Sequence, residues 1–172
     1  MACALTQDFI LDCRDSVGGL KVLYLIELGN ITSVAESSGT LTSITKATGK
    51  IFRKYQLELD TSTFEEDLTG NRQNGTLYVK QTGTIILNKQ QVSVRNELLL
   101  LGKNRLVAVG VDNNGLSKIY GLTQGLMLNT AKATLGTNWG DRNGYTLALE
   151  SQEPTMAQFV SDTALATLQT PG

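Results

Sequence analysis

The chain has 172 residues, a formal charge of −1, 41% hydrophobic and 18% charged side chains. That length can bury one sizeable core, and the near-neutral balance excludes a protein that holds nucleic acid through bulk positive charge. With no His and two Cys, zinc sites of the common kinds are excluded as well.

Gly is plentiful, aromatic residues are sparse and no low-complexity linker divides the chain. Residues 1–172 therefore read as a single β-rich domain with an extended N-terminal arm and a C-terminal tail. The apolar patch Phe9-Ile10-Leu11, bounded by Asp8 and Asp12, is too short for an export segment, and no run has the length to span a bilayer. The expectation is a chain folded in a cytosol, with Cys3 and Cys13 as buried thiols rather than a disulfide.

In chain order, residues 8–15 read as an entry arm and Val17-Gly18-Gly19 as a flexible turn. A strand over 20–28 places Leu20, Val22, Tyr24 and Ile26 on one face and Leu23 and Leu25 on the other, so both faces need cover from a second layer or a neighbouring subunit. Gly29-Asn30 turns the chain, and residues 31–35 suit a short strand or a connection. Residues 37–48 are dominated by Ser, Thr and Gly, with Leu41 and Ile44 apolar, and read as an exposed loop or edge hairpin, mobile when alone. A strand over 51–59 follows, with Ile51, Tyr55, Leu57 and Leu59 inward, Phe52, Lys54, Gln56 and Glu58 outward, and Arg53 interrupting the inner face.

Residues 61–74 contain Phe64-Glu65-Glu66-Asp67-Leu68, read as one helical turn or an acidic loop, and Asn74-Gly75 marks a turn. Residues 76–87 alternate as a strand. The spacing predicts a helix over 88–102, capped by Asn88 with Gln91 in the reciprocal position and stopped at Gly102. Its apolar stripe is Val94, Leu98 and Leu101, widened by Val92 and Leu99. A strand over 105–111 leads through Asp112-Asn113-Asn114-Gly115, a hairpin signal, into 116–122. Residues 125–129 and 132–135 suggest an interrupted strand, 145–150 a clean one ended by Pro154, and 157–168 a short helix or tail. The fold class is mainly β: two packed antiparallel sheets, a β-sandwich or barrel, with one flanking α-helix over about 88–102.

Chemistry is sparse. Without His no ordinary base stands beside Ser or Cys, and Gly49-Lys50 lacks the upstream Gly and following Ser or Thr of a phosphate loop. Asp12 and Asp15 read as solvated caps or salt-bridge partners. The chain is taken as non-enzymatic, with no cofactor. Charge layout is more informative. Lys46, Lys50, Arg53 and Lys54 follow one another without an acid, and then Glu58, Asp60, Glu65, Glu66 and Asp67 come without a base. Either these patches are complementary surfaces through which copies dock, with Lys50, Arg53, Lys54, Glu65, Glu66 and Asp67 as subunit-contact residues, or adjacent strands pair them within one subunit. Trp139, Tyr145 and Tyr120 are either ligand contacts of a monomeric binding module or core residues, the latter being favoured.

The run Gly136-Thr137-Asn138-Trp139-Gly140-Asp141-Arg142-Asn143-Gly144-Tyr145-Thr146-Leu147, followed by Glu150, Glu153 and Pro154, resembles a recurring ending in virion structural proteins of tailed bacteriophages. The opening Leu11-Asp12-Cys13-Arg14-Asp15, with Gly18-Gly19-Leu20-Lys21 and Tyr24, is similar to the start of the same sort of protein. Element order agrees with small tail-tube proteins, which pack two sheets with one flanking helix and carry a long loop between early strands. The resemblance implies homo-oligomeric rings stacked into a virion tail tube, in contact with other tail or neck proteins, passing DNA without specific binding and without a membrane. Neck, tail-terminator and capsid-decoration proteins are the alternatives it leaves. The long loop would be residues 37–48 or 61–74.

Overall fold

The computed structural model describes residues 7–10 and 13–172. Cys3, Leu11 and Asp12 lie outside them. The strands are β1 (Leu20–Glu27), β2 (Ile31–Ser37), β3 (Thr40–Lys46), β4 (Arg53–Gln56), β5 (Thr63–Asn71), β6 (Thr76–Asn88), β7 (Leu106–Asp112), β8 (Ser117–Tyr120), β9 (Met127–Thr134), β10 (Gly144–Glu153) and β11 (Gln158–Val160). The helices are α1 (Val92–Lys103) and α2 (Asp162–Ala166). A seven-stranded sheet in the order β2-β3-β11-β8-β7-β1-β4 faces a four-stranded sheet in the order β5-β6-β10-β9. Every pairing is antiparallel except that of β11 with β3. The fold is thus mainly β and sandwich-like, with one main helix.

Two cores explain why β1 and β7 read as continuous apolar runs. Between the sheets, Leu23 and Leu25 of β1 and Leu106 and Ala108 of β7 meet Ile85 of β6 and Leu147 and Leu149 of β10. On the opposite face of the seven-stranded sheet, Ile26, Val107, Val109 and Ile119 are covered by Phe52, Ala164 and Leu168. The second layer that β1 calls for on this side is supplied by the chain itself. A bulge between Leu20 and Val22 shifts the alternation, so Leu20 joins Leu23 and Leu25 instead of the expected face.

Helix α1 starts later than its sequence signals imply. Asn88 is the last residue of β6, paired with Gly144, and Lys89 turns the chain at φ 68°. The N-cap is Gln91 and makes no side-chain capping bond. Gly102 lies inside the helix, whose end is instead marked by Asn104, its amide donating to the Leu100 carbonyl at 2.9 Å. Leu101, Val94 and Leu98 pack on the inner core as predicted, whereas Val92 and Leu99 are 90% and 61% exposed.

Three further expectations are corrected. The strand over 51–59 shrinks to β4: Phe52 is fully buried in the outer core and Leu59 is 71% exposed. Alternation holds only within one strand, and the chain crosses from the outer face onto the sheet edge between Phe52 and Arg53. Residues 61–74 form neither a helical turn nor a loop but β5, whose three consecutive acids oppose Thr82, Gln81 and Lys80 on β6. Acidic residues are poor strand formers, yet cross-strand partners override that preference. Residues 125–135 yield one continuous strand, β9, with a register shift opposite Ala148 and Leu149. At the carboxyl end, 157–168 divides into β11 and α2, the latter capped by Ser161, which accepts from the Ala164 amide at 3.3 Å.

Residues 37–48 hold the turn and second strand of the β2–β3 hairpin, and they are not detachable. β2 is the sheet edge; β3 lies inside, with Leu41 fully buried and Ile44 and Lys46 nearly so. The Lys46 ammonium donates to the carbonyls of Thr167, Leu168 and Thr170, closing the turn after α2. Burial pushes its pKa down from the ordinary lysine value. Deleting 37–48 is therefore expected to abolish folding rather than only assembly. Leu41→Ala, a milder probe, should cost about 2–5 kcal/mol in urea denaturation.

Candidate assembly interface

The four-stranded sheet has one face in the core and one turned to solvent. Directly opposed residues share a face. The outer one therefore carries Thr63, Glu65 and Asp67 of β5, facing Thr84, Thr82 and Lys80 of β6. It continues through Ile86 of β6 and Thr146, Ala148, Glu150 and Gln152 of β10 to Met127, Thr130 and Lys132 of β9. The surface is rich in threonine, with three acids (Glu65, Asp67, Glu150) against two bases (Lys80, Lys132) among these residues. Lys80 bridges Glu150 at 3.4 Å, half-exposed and so contributing little stability.

Both margins of this sheet are open. β5, nine residues long, and β9, eight, each have a hydrogen-bonded neighbour on one side alone. Neither is interrupted by proline or shortened; edge charges and the β9 register shift are the devices that keep them from indiscriminate pairing. β5 presents Glu65 and Asp67, and β9 presents Lys132.

The predicted contact residues divide between two places. Lys50, Arg53 and Lys54 are exposed at β4, the margin of the seven-stranded sheet. Lys50 and Arg53 line a recess of about 290 Å³ between β4 and α1, with Tyr55, Glu97 and Leu100. Glu65 and Asp67 are exposed on β5. Glu66 is turned inward and is engaged within the molecule. Its carboxylate meets Lys118 of β8 at 3.1 Å, and accepts from the Gln81 amide at 3.3 Å and from the Ala157 N–H. The buried Gln81 also accepts from the Gly121 N–H at 2.9 Å, so this network ties the two sheets together. Intramolecular pairing thus accounts for Glu66 but not for the basic group at β4.

Of the three aromatic candidates, Tyr120 and Tyr145 are core residues. Tyr120 stacks on Phe64 with centroids 4.3 Å apart, and Phe64 covers Gly83, where a Cβ would lie 2.5 Å from its ring. Burial, with the charges of Glu66 and Asp112 adding, pushes the Tyr120 phenol up to about 12. Trp139 is different. The expectation that it packs in the core is overturned, because it is fully exposed, on the loop between β9 and β10. The Asp141 carboxylate accepts from the Thr137 and Asn138 N–H groups, both at 2.8 Å, and these bonds hold its pKa below the usual carboxylate range. Gly136 adopts φ 75°, and a Cβ there would lie 2.6 Å from that of Asp141. The turn signals Asn138 and Gly140 on either side of Trp139 are what could have marked it as displayed rather than buried.

Comparisons with models of protein families, with curated proteins and with solved structures found no match to this chain. The functional reading therefore rests on its own residues.

At the far end of the four-stranded sheet lies an open groove of about 740 Å³ lined by Leu77, Tyr78, Met127 and Pro154, with Glu150 and Gln152 among its polar groups. Cys13, expected to be buried, is exposed on the N-terminal segment. That segment is anchored at Val17, which exchanges two hydrogen bonds with the Asn114 side chain, at 2.9 and 2.7 Å. Among the described residues no helix is long and apolar enough to cross a membrane.

Proposed function

We propose that this chain is a virion structural protein of a tailed bacteriophage whose copies close into rings and stack as a tail tube through which the genome passes. The observation that carries the reading is the four-stranded sheet, with a mostly polar outer face and two margins that have no second strand neighbour. β5 of one copy pairs with β9 of the next, satisfying the backbone groups that an isolated molecule leaves to water. Heterologous pairing of this kind closes a ring when the rotation between copies divides a full turn. The threonine-rich face then lines the lumen. With acids slightly outnumbering bases it repels or ignores phosphate, so DNA slides past instead of being held.

The sequence resemblance supports the same class, and the sandwich with one flanking helix is the architecture it implies. Neck, terminator and decoration proteins are the neighbouring alternatives, and they differ in not polymerising along an axis. Electron microscopy and light scattering of the purified chain across a concentration series test the reading. Rings and hollow rods are the expected result; rings that never lengthen favour the alternatives, and a monomer at every concentration excludes both.

A further inference from the structure

Trp139 and the groove at Leu77 stand at opposite ends of one strand. The Trp139 loop precedes Gly144, the first residue of β10, while the groove is lined by Glu150 to Pro154 at its end. At about 3.3 Å per residue, the ten-residue strand separates them by roughly 30 Å. The knob is held by backbone bonds to Asp141 and needs no packing of the indole to keep its shape. Its end of the sheet also exposes Leu59, Val92 and Leu135. Lys89 and Arg142 line a recess there with Gly140 and Asn143, whereas the groove is lined by Glu150 and Glu153 against the single base Arg105. An exposed indole and a groove floored by Leu77, Met127 and Pro154 thus stand at the two ends of one molecule, with bases beside the first and acids outnumbering the base beside the second.

We infer that Trp139 of one copy seats in the Leu77–Tyr78–Met127–Pro154 groove of a second copy placed end to end with it, forming the axial contact between rings. The inference rests on the tail-tube reading and names the stacking surface within it, in place of residues 37–48 or 61–74. A contact between opposite ends is heterologous and does not close, so it repeats into a rod. One indole per copy gives a weak bond between two molecules. A ring presents as many as it has subunits, and the bonds after the first form at high effective concentration. Stacking therefore follows ring closure.

Trp139 is the single tryptophan of the chain, so its emission reports this contact without interference. In dilute wild-type protein the spectrum should lie at the red limit of solvated indole and shift to the blue as rods form. Trp139→Ala should close rings but raise the concentration needed for rods by roughly 30-fold or more, the effect of losing an anchor residue. Leu77→Glu alters one exposed side chain, 66% accessible and outside both margin strands, and should likewise give rings without rods. Mixing the two variants leaves one competent interface, between the knob of the groove variant and the groove of the alanine variant. The mixture should give ring pairs that do not grow, with a blue-shifted spectrum. Rods from Trp139→Ala at wild-type concentrations, or rods whose tryptophan stays solvated, overturn the inference while leaving the tube reading intact. Wild-type protein that never assembles, with an emission independent of concentration, overturns both.

Discussion

Glu66→Ala should lower the unfolding free energy by about 3 kcal/mol, measured as a fall in urea midpoint at unchanged slope. Its carboxylate is nearly inaccessible and is shared by Lys118, Gln81 and Ala157. Removing it strands the buried Gln81 amide and the Ala157 N–H without an acceptor, and each such loss costs about 1–3 kcal/mol. Lys118 is one-third exposed and can turn to water, which keeps the total at the lower end for a broken internal ion pair. Glu66→Gln retains an acceptor oxygen and should lose less. A variant as stable as the wild type would mean that the two sheets are not joined through this group. Lys118→Met keeps an apolar side chain of similar length but removes the ammonium that faces both Glu66 and the Phe159 ring, 5.2 Å from its centroid, and so measures the charge alone.

The second large effect concerns ring closure. Lys132→Glu in β9 places an acid on the margin that is to meet Glu65 and Asp67 of the next copy's β5. Each like-charged cross-strand pair costs only about 0.2–1 kcal/mol, but the penalty recurs at every joint of a closed ring. Rings should therefore disappear at concentrations where the wild type forms them, while thermal stability of the monomer stays within about 0.5 kcal/mol, as befits an exposed substitution. Combining it with Glu65→Lys and Asp67→Lys restores opposite signs across the joint and should recover rings. Analytical ultracentrifugation distinguishes the outcomes. If the single variant assembles normally, or the reversed triple variant does not recover, another margin makes the joint.

What could be read from the chain follows from how local the governing interaction is. The β7–β8 hairpin is legible in Asp112 to Gly115 because a turn is decided by a few adjacent residues; the Asp112 carboxylate accepts from the Leu116 N–H at 2.7 Å. β6 and β10 are legible because one face of each is buried along most of its length, which imposes alternation. β5 escapes notice because Glu66 is buried by partners 15, 52 and 91 residues away, a distance over which local pattern is silent. Phe52 is misassigned because it belongs to no strand, and its place depends on Leu168, whose carbonyl accepts from its N–H at 3.0 Å. The acids and bases that suggested contact surfaces are near in sequence but belong to different sheets, and once 63–71 is a strand its alternation separates Glu66 from Glu65 and Asp67. Trp139 shows the opposite bias: composition favours burying a tryptophan, and here a tight turn forbids it.

The parallel pairing of β11 with β3 has a consequence for the order of folding. Residues 158–160 occupy the slot between β3 and β8, so the early hairpin joins the rest of its sheet only once this late strand is in place. The β2–β3 hairpin therefore docks late, after β7 and β8 have been made and paired.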